Sequence, residues 1–153
     1  MGTQQILLIV LSSFVVGIAV IIGITMFHNQ ARNSNRQALV SDLKNFSANA
    51  IAYYKTPANV GGGGNGSPGF VEGNNPSTTL ISYLGFVEEG SGAISYKHTN
   101  DVGTYSITSQ AAHTLTINGV GKEKVGAGNN IEVNLSIDMQ KDPGQQITID
   151  VVH

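Results

Sequence analysis

The sequence predicts an α+β protein: one long N-terminal α-helix, with a small antiparallel β-sheet packed on its C-terminal half. Three observations carry this. Ile6 to Phe27 contain no charge, His, Asn, Gln or Pro. An apolar stripe then recurs at three- and four-residue steps as far as Tyr54. From Gly92 onward the period of apolar residues switches to two.

Residues 1–27 read as a transmembrane or filament-core helix. At ~1.5 Å per residue the apolar run is about 33 Å long, enough to cross a bilayer core. Ser12, Ser13 and Thr25 are its only polar side chains, and each hydroxyl can bond a carbonyl one turn earlier. Gly17 and Gly23, with Ala19, lower the helix surface and let a second helix come close. A secretory signal peptide fits poorly. Nothing basic precedes the run, the run is too long, and no small-x-small cleavage site follows. Arg32 and Arg36 lie just after the span, which by the positive-inside rule places the remainder in the cytoplasm. A basic leader removed ahead of Met1 would resolve that orientation.

The helix should continue through 28–55 as an amphipathic stretch. Ala31, Asn35, Ala38, Leu39, Leu43, Phe46, Ala50 and Tyr54 share one narrow face. Leu39, Leu43, Phe46, Ala50 and Tyr54 are the expected contact with the sheet. Pro57 ends the run, giving one helix of roughly 50 residues and about 80 Å. Residues 56–75 form a loop, flexible or irregular, rich in Gly (Gly61 to Gly64, Gly66, Gly69 and Gly73). A phosphate-binding loop is excluded there, since no Lys-Ser/Thr follows and no strand leads in. Residues 76–153 form the head. It opens on a short helix at 76–84, with Asn75 as N-cap, Pro76 in the first turn and Gly85 as the stop. About five strands follow, each with one apolar and one wet face. They centre on Ile94/Tyr96, Tyr105/Ile107, Leu115/Ile117, Ile131 to Ile137 and Ile147 to Val151. Lys141-Asp142-Pro143-Gly144 is the last turn.

Composition removes most chemistries. A net charge of −2 with 12% charged residues argues against nucleic-acid binding. The absence of Cys excludes disulfides, thiolate metal sites and iron–sulfur clusters. His28, His98, His113 and His153 lie on different elements without metal spacing and read as solvated or turn residues. Asp138, Asp142 and Asp150 fall near one hairpin, but no calcium loop is written there. No Gly-x-Ser-x-Gly elbow is present. Phe14, Phe27, Phe46, Tyr53 and Tyr54 could be a hopping path for electrons in a polymer; packing is the favoured role. Glycan acceptor tripeptides occur at Asn45, Asn65 and Asn134. Asn65, in the Gly-rich loop, is the most accessible candidate. No enzyme activity and no cofactor are expected.

This layout resembles a type IV pilin or pilin-like subunit. The likeness covers the whole chain in architecture and about the first 30 residues in sequence character. It implies a precursor held in the inner or cytoplasmic membrane, a leader peptidase that exposes and often methylates the new N-terminus (here Met1), and an assembly machinery that builds an extracellular filament from copies of the chain. Such filaments serve adhesion, motility, DNA uptake or electron transfer. Two departures stand out. Gln5 stands where these subunits usually carry Glu, and Gly23 lies where many carry Pro nearby. The expected assembly residues are Met1, Gln5, Gly17, Gly23, Arg32 and Arg36. Residues 28–55 are net positive and 56–153 net negative, so Arg32 or Arg36 is expected to meet an acidic head or backbone carbonyls of a neighbouring copy. Two alternatives remain at this stage: a monomeric membrane-anchored β domain that binds a ligand, and a pseudopilin of a secretion or uptake machine.

Overall fold

A computed structural model describes residues 2–72, 75–89, 96–125 and 128–152, the side chain of Asn75 excepted. The chain divides into two units, Met1–Ser34 and Asn35–His153. Helix α1 spans Thr3–Lys55. Its residues up to Ser34 make the first unit; its remainder belongs to the second.

The second unit is a helix laid on a sheet. Strands β3 (Val87–Glu88), β4 (Tyr96–Thr99), β5 (Gly103–Gln110), β6 (Thr114–Val125), β7 (Asn129–Asp138) and β8 (Ile147–Val151) form one antiparallel sheet in chain order. The alternation of apolar and polar residues sets its faces. Leu115, Ile117, Ile131, Val133, Leu135 and Ile137 are fully buried on one side. Leu39, Leu43 and Ala50 of α1 are fully buried against that side, with Phe46 and Tyr54 nearly so. The helix approaches β6 where the strand has no side chain to hold it off. A Cβ at Gly119 would meet the Tyr105 ring at 3.1 Å, and one at Gly121 would meet Leu39 Cδ1 at 3.0 Å.

Polar bonds fix the register of helix on sheet. Tyr105 donates to Asp42 Oδ2 at 2.6 Å and Asn100 Nδ2 donates to the same oxygen at 2.8 Å. Asn100 Oδ1 accepts from the N–H groups of Val102 and Gly103, shaping the β4–β5 turn. Asn35 Nδ2 donates to Val102 O at 2.9 Å. Phe46 stacks edge-on with Phe86, His98 and Tyr105 at centroid distances of 5.1–5.4 Å.

The Gly-rich loop is irregular, as its composition requires, but it is tied down. It folds back over the end of α1 and satisfies carbonyls that a helix terminus leaves open. Gly63 N donates to Tyr53 O, Gly64 N to Thr56 O and Asn65 N to Tyr54 O, each at 2.9 Å. Gly69, at φ +76°, sits where a Cβ would strike the Ala112 backbone. Tyr54 Oη and His113 Nδ1 are hydrogen-bonded at 2.7 Å beside Gly66.

The short helix is shorter than the sequence indicates. Helix α2 spans Thr78–Leu84 with Ser77 in the N-cap position. Asn75–Pro76 is instead strand β2, paired with β1 (Val71–Glu72), and Ser77 N bonds Phe70 O at 3.0 Å. The hairpin holds Pro76 extended, so the helix begins after it. Gly85 ends α2 in the left-handed region at φ +71°. Ile94, placed by its alternation in the first strand of the sheet, lies outside the described residues, as do Gly73 and His153.

Burial raises the Tyr105 hydroxyl pKa well above the usual tyrosine range, and the neighbouring Asp42 carboxylate adds to it. A raised folded-state pKa contributes stability that is full below the unfolded value of 10.0 and is lost as pH rises beyond it. Tyr105→Phe should therefore destabilise the protein at pH 7 by about 1.5–3 kcal/mol, the range for a hydrogen bond to a charged group. It should also flatten the fall in melting temperature above about pH 10. Thermal melts of both proteins across pH 7–11 check this.

Candidate functional site

The first unit presents the chemistry that needs explaining. Every side chain from Gly2 to Gln30 is exposed in the single chain. Apolar side chains cover the whole circumference, from Val10 at 50% exposed to Phe27 at 74%. The helix is long and apolar enough to cross a membrane. Two of the three hydroxyls in residues 6–27 are hidden from an apolar environment by back-bonding: Ser12 donates to Ile9 O and Thr25 to Ile21 O, both at 2.9 Å.

Gly17 opens a notch of about 530 Å³ on this surface, flanked by Ile9, Ser13, Phe14 and Ile21. Around both Gly17 and Gly23 an added Cβ would meet nothing within 4 Å. No contact inside the chain therefore calls for a glycine at either place, although each weakens the helix by ~1 kcal/mol.

The remaining expected assembly residues are spread along α1. Gln5 is exposed, and its backbone N–H bonds Gly2 O at 2.9 Å. Arg32 is half-buried and makes an interaction of its own. Arg36 is half-buried, and its Nε lies out of contact with solvent and without a hydrogen-bond partner. Arg36 and Lys44 flank Val40 in a shallow groove on one side of the helix. Met1 lies outside the described residues. Asn65 is exposed at the tip of the glycine loop at φ +55°. Leu39, Leu43, Phe46, Ala50 and Tyr54 come together in the core of the second unit.

Among the described residues no group of three or more His, Asp or Glu side chains comes together to hold a metal. Asp138 instead accepts the backbone N–H of Gln140 at 3.0 Å, closing its turn. His113 lies in the turn between β5 and β6, in keeping with the sequence, and His98 lies on β4; both are half-buried and bonded. His98 bonds Gly85 O at 2.8 Å through Nδ1 and packs in the aromatic cluster, and His113 pins the glycine loop. The available signal was that His98 continues the alternation of Ile94 and Tyr96 by two residues.

A long N-terminal helix with an antiparallel sheet packed on its latter half is the architecture of pilin-like subunits. Comparison with family models, with curated proteins and with solved structures gives no match.

The exposed helix sets one expectation by itself. Expressed in cells, the chain should stay in the membrane pellet through an alkaline carbonate wash and leave it in detergent. Val16→Lys, at mid-span, should weaken insertion by about 2.5–3.5 kcal/mol. A chain found wholly in the carbonate supernatant would contradict this.

Proposed function

We propose that this protein is the structural subunit of an extracellular type IV pilus-like filament, polymerised through its apolar N-terminal helix. The observation that carries the reading is the uncovered surface of Ile6–Phe27. Each Leu, Ile, Val or Phe moved out of water contributes roughly 1.5–3 kcal/mol, so this surface needs lipid or copies of itself. Both covers serve in turn: the precursor inserts in the membrane, and the assembled helices bury one another. Glycines that nothing in the chain requires support the second cover, because they let helix backbones approach closely. The head is an ordered sheet on a helix, and among the described residues no His, Asp and Glu side chains gather to hold a metal, which suits a structural role.

The pseudopilin reading shares this chemistry and differs in filament length. The membrane-anchored binding module differs in oligomeric state. Imaging of surface filaments, with N-terminal sequencing of the sheared material, separates the readings. Filaments made of this chain support the proposal; monomers in detergent with no filaments favour the anchored module.

Gly17→Leu should fill the notch and block assembly while leaving the membrane-inserted subunit at normal abundance. Normal filaments from that variant would refute a helix crossing at Gly17. Gln5 has a distinct role in this reading. Its amide both donates and accepts, so it can be buried and bonded to the N-terminal segment of its own or a neighbouring copy without burying a net charge. A filament structure with the Gln5 side chain in solvent, or buried with no polar atom in reach, would overturn that assignment.

A further inference from the structure

Among the described residues of the second unit, the exposed large apolar side chains are Val60, Tyr83, Val87, Ile147, Val151 and Val152. Apart from Val60, on the turn after α1, they fall at the two ends of the sheet order. Ile147, Val151 and Val152 lie on or next to β8; Tyr83 and Val87 lie on α2 and β3.

The β8 end is exposed for a geometric reason. Ile147, Ile149 and Val151 pair with Ile137, Leu135 and Val133, so they point to the same face of the sheet as those buried residues. The partners are 0% exposed, whereas Ile147 is 41% and Val151 45% exposed. Helix α1 meets the sheet at β6, and β8 is two strands further out, about 10 Å at the usual strand spacing. A helix with side chains reaches only ~5–6 Å from its axis. The last strand therefore overhangs its cover.

The edge is only lightly guarded. Natural sheets blunt an open edge with charged side chains, Pro, a bulge or a very short strand. Strand β8 is five residues long with one charge, Asp150, and no Lys, Pro or bulge, in unbroken register with β7. The opposite edge, β3, is two residues long and ends in Glu88.

We infer that β8 of one copy docks against the α2–β3 end of the next copy, a second, head-to-head interface in the filament. The occupant is another copy, because the two patches lie at opposite ends of one sheet. A contact between unlike surfaces of identical subunits propagates without closing, which suits a helical polymer. A foreign partner would require only one patch. Ile147 and Val151, half-exposed, meeting Tyr83 and Val87 fall well short of the roughly 800 Å² per partner that a stable free complex buries. The contact thus forms only between copies already held together by their N-terminal helices, at high effective concentration. In this the inference rests on the filament reading.

The absence of native Cys makes the test clean. Val87→Cys and Val151→Cys would be placed together and singly in the full chain, and assembled material treated with oxidant or a bifunctional maleimide. The double variant should give a ladder of multimers on a denaturing non-reducing gel, and each single variant only monomer. Because both positions are exposed, Ile147→Asp with Val151→Asp serves as a second probe. It should leave the melting temperature of the detergent-solubilised subunit unchanged and lower the detergent or shear needed to break filaments. Intact filaments without the ladder would overturn the edge contact and leave the filament reading standing. Dimers from Val151→Cys alone would overturn it in favour of β8 pairing with itself. Failure to form any filament would remove both.

Discussion

A sheet with one apolar face has to be covered, and here one helix does the covering. That constraint shapes the second unit. It selects the stripe of Leu39, Leu43, Phe46 and Ala50, spaced to keep one face toward the sheet. It also selects Gly121 on β6, where a side chain would strike Asn35 and Leu39 of the helix, and Gly119, where one would press on the Tyr105 ring. The Asp42–Tyr105–Asn100 bonds hold the helix in register, so a half-buried carboxylate is satisfied by neutral donors. The same constraint limits coverage. A cover one helix wide suffices for the central strands and fails at the last.

The first unit poses the converse problem, a helix with apolar residues all round and no sheet to receive them. Both units thus leave apolar surface for something outside the chain, in very different amounts. The N-terminal helix offers enough to drive insertion or polymerisation. The sheet ends offer only enough to orient copies already brought together. This division matches the distribution of charge, which is absent from Ile6–Phe27 and scattered thinly over the head. The surface pair Lys97–Glu89, at 3.4 Å, is of the exposed kind worth ~0–1 kcal/mol.

Much of this fold was legible in the sequence because its elements are long and strongly periodic. The unbroken apolar run, the stripe ending at Tyr54 and the alternation through Ile131, Val133, Leu135 and Ile137 each answer to a single geometry. What escaped was decided by tertiary contacts. Asn75-Pro76 carries a good helix start, yet pairing with Val71–Glu72 takes those residues into a hairpin. Strands of two residues, such as Val87–Glu88, have no period to detect. The glycine loop reads as loose because its partners, the carbonyls of Tyr53, Tyr54 and Thr56, are backbone atoms without sequence identity.

The candidate site was legible as a surface and less so as contacts. Composition marks Ile6–Phe27 as needing a cover, and Gly17 as its lowest point, whichever copy or lipid provides it. The overhang at β8 could not be read the same way. Ile147, Ile149 and Val151 alternate as faithfully as Ile137, Leu135 and Val133 do, and pattern alone assigns both sets to the core. Only strand order separates them, because it places one set beneath α1 and leaves Ile147 and Val151 beyond its reach, with Ile149 between them half-covered. Alternation reports which face a side chain takes; whether that face is covered depends on the width of what lies on it.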